Sequence, residues 1–171
     1  SRGLGDVYKR QMFRWANGIA ALLLLAVFSA HVIMGTLFCW GMFSDELNWA
    51  VWIGVGIIAV HVALSVGTTR QMLCDRSRPP SAKKKAHQLK KWVSGIAIGV
   101  IAAAHVLLDF GSVAWAIVAL LIDVALATHV CISAKSLAKD LGLGAKSKYA
   151  VRVFAILVAF LAGTVIAFGG Y

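Results

Sequence analysis

Four histidines stand inside long apolar runs: His31, His61, His105 and His129. Ionisable side chains at membrane depth are costly and mark function more often than packing. A single such histidine is accounted for by a hydrogen bond to a neighbouring helix. One in each of four consecutive runs calls for a shared task. The fifth histidine, His87, lies in a basic connection and reads as solvated.

Depth sorts the four into pairs. With a rise of about 1.5 Å per helical residue, His31 lies about 25 Å beyond Arg14 and His105 about 21 Å beyond Lys91. Counted back from the basic residues that follow them, His61 lies about 14 Å before Arg70 and His129 about 9 Å before Lys135. His31 and His105 therefore form an outer pair, and His61 with His129 an inner pair nearer the basic ends. The two levels differ by about 12 Å.

Facing imidazoles at matched height are what a haem clamped between helices requires, one neutral nitrogen on each face of the iron. Filling both axial positions suits electron transfer better than oxygen activation. Gly35, Ser65 and Ser133 each stand four residues after a histidine, on the same helical face, where a flat porphyrin edge needs relief and a hydroxyl can support a ligand. Small residues also serve ordinary membrane helix packing. Gly95 and Gly99 form a GxxxG assigned to packing alone. Asp109 breaks the pattern by occupying the position four after His105.

The elements that must hold these residues are five apolar runs: Trp15 to Phe43, Trp49 to Thr69, Trp92 to Leu108, Val113 to Ile132 and Tyr149 to Phe168. Each is near the roughly 20 residues that span a hydrocarbon core. Trp15, Trp49, Trp92, Trp115 and Tyr149 fall near run ends, where amphipathic rings settle at an interface. The chain is 60% hydrophobic and 14% charged, too apolar for a soluble domain of 171 residues. The predicted fold is an all-α integral membrane bundle of five transmembrane helices, a haem-binding four-helix core plus a fifth helix.

Charge decides orientation. The connections CDRSRPPSAKKKAHQLKK and KSLAKDLGLGAKSK are basic, whereas FSDELN and DFGS carry acids and no Lys or Arg. All 17 basic residues fall on one side, which the positive-inside rule makes the cytoplasm. The N-terminus is then inside and the C-terminus outside a bacterial inner membrane. Short basic stretches between apolar runs argue against nucleic acid despite the net charge of +10. Cys39, Cys74 and Cys131 form no CxxC or CxxCH motif, which argues against covalent haem attachment and a cysteine-held cluster. Residues 1–11 include DVYKRQ, which resembles a translated sequencing adapter; they are read as an artefact or short basic tail, and residues 12–171 as a single domain.

On the one-per-helix histidines, HVALSVGTTR after His61 and HVCISAKSLAKDLG from His129, the chain resembles the single-chain, di-haem cytochrome b anchors of succinate dehydrogenases and fumarate reductases. The resemblance implies two b haems, the outer on His31 and His105 and the inner on His61 and His129. It also implies quinone as substrate, and cytoplasmic flavoprotein and iron–sulfur partners docked on the basic loops. Lipid headgroups are a second use of those loops. A homodimer of such complexes is compatible with this layout. Arg70, Lys91 and Lys135 are candidate cations for inner haem propionates; the outer side offers none. Asp123, inside the fourth run, is a proton-relay candidate, with a hydrogen bond to a neighbouring helix as the alternative. Asp109 could also exchange protons; Asp45 and Glu46 read as solvated surface acids. Two other functions fit the same residues: a di-haem anchor of another dehydrogenase or a hydrogenase, and a haem-free membrane transporter or assembly protein.

Overall fold

The computed structural model describes residues 4–42, 49–75 and 79–168. Asp45 and Glu46 lie outside the described residues, as do the side chains of Cys39 and Trp49. Five helices follow in order: α1 (Leu4–Cys39), α2 (Trp49–Leu73), α3 (Ala82–Leu107), α4 (Val113–Asp140) and α5 (Ser147–Phe168). All five are long and apolar enough to cross a membrane.

The helices outrun the apolar runs at the basic end. Helix α1 starts at Leu4, so residues 4–14 continue it, and Arg10 pairs with Asp75 just beyond α2. Helix α3 starts at Ala82, ten residues before Trp92, which turns most of the basic connection into helix. The reason is local. Pro79 and Pro80 forbid helix before Ser81, whose Oγ caps the helix by accepting from Lys84 N at 3.3 Å. The run KKKAHQLKK then has good helix formers and no breaker. Apolarity marks only the stretch in lipid; hydrogen bonding carries the helix into water.

Two glycines stop helices in the same way. After α1, Gly41 takes φ 68°, with Gly41 N donating to Phe38 O and Met42 N to Leu37 O, both at 2.9 Å. After α4, Gly142 takes φ 69°, with Leu143 N donating to Ala138 O at 2.8 Å and Gly142 N to Lys139 O at 3.1 Å. Both are Schellman caps, which need the left-handed conformation that glycine adopts without a Cβ penalty. Asp109 sits in the turn after α3, which ends at Leu107, so it does not share the helical face of His105 as its spacing predicts.

Small residues bring the helices together. The buried apolar set is Ala20, Ala119, Ala134, Leu137, Ala138, Ala155 and Ala162. Larger side chains such as Val106, Leu107 and Phe160 face outward, as lipid contact allows. Helix α4 is central, packing on α5 and α3 and more lightly on α1; α1 also packs on α2 and touches α5. Gln88 and Trp92 of α3 both donate to Thr69 Oγ1 of α2, at 2.8 and 3.1 Å, closing the ring at the basic end. The first four helices thus form a quadrilateral in the order α2, α1, α4, α3, with α5 outside. Its diagonals, α1–α3 and α2–α4, meet at most in passing among the described residues.

Candidate functional site

The diagonals of that quadrilateral carry the histidines. His31 of α1 and His105 of α3 lie within electrostatic reach of each other, and so do His61 of α2 and His129 of α4. These are the outer and inner pairs expected from depth. His31 is exposed in the bundle; the other three are half-buried.

Each of those three is supported from an adjacent helix, by a residue that histidine spacing does not flag. Ser94 Oγ of α3 lies 2.8 Å from His129 Nδ1. The Ser94 hydroxyl has one proton, which it directs at the carbonyls of Lys90 and Lys91 at 2.9 and 3.1 Å. With the proton so directed, its oxygen accepts from His129 Nδ1–H, and that tautomer leaves the Nε2 lone pair free. The His129 ring also hydrogen-bonds the Lys91 backbone. Gly95 faces this ring: a Cβ there would stand 3.5 Å from His129 Cε1, an ordinary contact. Half of the GxxxG thus faces the site, a role that packing alone had not suggested.

His61 lies beside the backbone of Asn17 on α1 and keeps a buried Nδ1 without a partner. The Asn17 side chain takes Ser65 as well, Ser65 Oγ donating to Oδ1 at 3.2 Å. His105 also has a buried, unpartnered Nδ1. Its ring is held by stacking on Trp115 of α4, with centroids 5.0 Å apart and planes inclined by 34°. Phe110 and Phe38 extend this aromatic cluster, at 4.7 Å from Trp115 and 5.5 Å from each other. Trp115, expected only as an interfacial anchor, is part of the site.

The spacing rule behind these supports is regular. Asn17 precedes His31 by 14 residues, Lys91 precedes His105 by 14 and Trp115 precedes His129 by 14. Fourteen residues are close to four turns, so each lies on the same face of its helix as the histidine, about 21 Å along the axis from it and beyond the other pair's level. Every core helix except α2 offers a histidine to one level and a supporting residue to the other.

The remaining expected residues divide. A Cβ at Gly35 would meet nothing within 4 Å, the open relief a flat edge needs beside His31. Ser133 is half-buried on the His129 face, and its carbonyl accepts from Ser136 at 2.8 Å. Arg70 and Lys135 are exposed, and Asp109 is exposed at the far turn. Asp123 is 6% exposed, and its Oδ2 has no partner. It faces a crevice between α1, α4 and α5, lined by Leu25, Phe28, Leu126 and Val158 and too tight for water. Among the described residues it makes no hydrogen bond to a neighbouring helix, the alternative the sequence allowed. Arg152 on α5 is half-buried and donates to the Cys131 carbonyl at 3.1 Å, a contact that loop charges do not reveal.

In their chemistry these residues suit an iron porphyrin's axial positions: two pairs of imidazoles on sparsely packed diagonals, with unpartnered Nδ1 atoms on His61 and His105. Comparisons with protein-family models, with curated proteins and with solved structures return no match.

Proposed function

We propose that the chain is the membrane-anchor cytochrome b subunit of a succinate dehydrogenase- or fumarate reductase-type complex in a bacterial inner membrane, N-terminus inside and C-terminus outside. In this reading His31 and His105 hold one b haem, and His61 and His129 hold a second. Bound b haem supplies a one-electron iron couple, so two at different depths link membrane quinone or quinol to cytoplasmic flavoprotein and iron–sulfur subunits.

One observation carries the reading: histidines from diagonal helices come within electrostatic reach of each other twice, while the diagonals themselves pack little among the described residues. Bis-imidazole ligation needs that arrangement, and simple polar packing does not. Ser94 orients one ligand through a hydrogen bond and Trp115 another through its ring, as supports around a metal site do. Asp123 and Asp109 are the residues to hold and release the protons of quinone chemistry. Asp123 is buried without a partner, the state in which a carboxyl gains most from carrying its proton.

The test is the reduced-minus-oxidised spectrum of the purified chain. Two b haems per chain are expected, with flavoprotein and iron–sulfur subunits retained in the complex. Other co-purifying subunits would point to another dehydrogenase or a hydrogenase. Absence of a Soret band in protein made with ample haem would leave a haem-free transporter or assembly factor.

A further inference from the structure

Beneath the inner pair, at the basic end, the bundle holds a cation that no described residue neutralises by contact. Lys91 lies on the inward face of α3 and is half-buried. Its Nζ donates to Ser136 Oγ of α4. Ser136 follows His129 by seven residues, two turns along the same face. Its own proton goes to the Ser133 carbonyl at 2.8 Å, so its oxygen is committed to accepting from Lys91.

The ammonium is thus pinned between α3 and α4, with two of its three donors unspent on any described side chain. Asp140 lies within electrostatic reach but makes no ion-pair contact among the described residues, where the ion pair formed is Arg10 with Asp75. The charge of Lys91 is felt at both His61 and His129. Arg70 and Lys135, the other two cations the sequence offered, are exposed and solvent-screened, and half-buried Arg152 spends a donor on the Cys131 carbonyl. A half-buried, unpaired cation is expensive to keep and acquires value when an anion arrives.

We propose that Lys91, steadied by Ser136, is an anion site beneath the inner histidines that takes a carboxylate from the edge of the group those histidines hold. The proposal rests on the haem reading above and selects one cation from three that sequence left equal. The ammonium contributes two charge-assisted hydrogen bonds to the carboxylate and favours the reduced state of the inner centre.

The full chain is purified from membranes and its two haems titrated potentiometrically, the inner one identified by its absence in His129→Met. Lys91→Gln should lower the inner midpoint and weaken inner haem retention about tenfold, as expected for a lost charge-assisted contact. The outer haem serves as an internal control and should not change. Lys91→Arg should restore both properties, and Ser136→Ala should move the midpoint the same way by less. Unchanged midpoints with both haems retained in Lys91→Gln overturn the proposal, whether quinol turnover or tightly bound phospholipid is lost instead. Equal loss of both haems in the Gln and Arg variants also overturns it, by assigning Lys91 to folding. A wild-type protein without haem overturns this proposal and the haem reading together; two wild-type haems with an indifferent Lys91 overturn this one alone.

Discussion

Ser94 Oγ and His129 Nδ1 lie 2.8 Å apart across the α3–α4 interface, and the serine's proton is already engaged by the carbonyls of its own helix. With the proton on those carbonyls the histidine donates, and that tautomer leaves the Nε2 lone pair free. A hydrogen bond accepted by serine also makes the imidazole a stronger donor to a metal.

Replacement of Ser94 by Ala should then loosen the inner haem, about 10- to 100-fold by comparison with other supports of metal-bound histidine. The weaker imidazole donor should raise the inner midpoint potential. Haem titration and redox potentiometry on the purified chain check both, with the outer haem unmoved.

Gly95 gives a steric version of the same test. An added methyl would meet His129 Cε1 at 3.5 Å, an ordinary contact, so Gly95→Ala should keep two haems. Gly95→Leu has no such room and should displace the ring. Loss of the inner haem alone in the Leu variant, read from the visible spectrum, is the expected result.

Trp115 should matter at the outer level. Its ring stacks on His105, an interaction of about 0.5–1.5 kcal/mol beyond area burial. Trp115→Leu should lower outer haem occupancy and broaden its electron paramagnetic resonance signal, because the imidazole plane is no longer held. Trp115→Phe should give a smaller effect. An inner signal that changes equally would contradict this assignment.

Asp123 should separate proton transfer from structure. Its carboxyl has no partner to lose, so Asp123→Asn should leave both haems and thermal stability within about 1 kcal/mol of the parent. Quinol-linked electron transfer in membranes should fall at least about tenfold, the loss typical when a positioned acid–base group is removed. Full turnover in the Asn variant would remove Asp123 from the proton path.

Topology can be read independently of haem. A periplasm-dependent reporter fused after Phe168 should be active, and the same reporter in the connection between α2 and α3 inactive. The reverse pattern would contradict the orientation drawn from the basic connections.

The sequence by itself determined the five helices, their approximate ends in the apolar layer, and the two heights at which histidines stand. These follow from properties local to each segment: hydropathy, a constant rise per residue, and the cost of charge in lipid. Depth alone also paired His31 with His105 and His61 with His129, the pairing that the haem proposal uses. The helical extensions over residues 4–14 and 82–91 were missed, because apolarity ends at the lipid boundary and backbone hydrogen bonding does not.

Only the tertiary structure decided which helices are neighbours and which are diagonal, and so which side chains support each ligand. Ser94 and Asn17 are ordinary residues in the chain, and Trp115 and Lys91 stand out there only as an interfacial ring and one of three cations; packing on alanine-lined faces brings them beside the histidines. That placement depends on how helices far apart in sequence press together. No periodicity within one helix contains it.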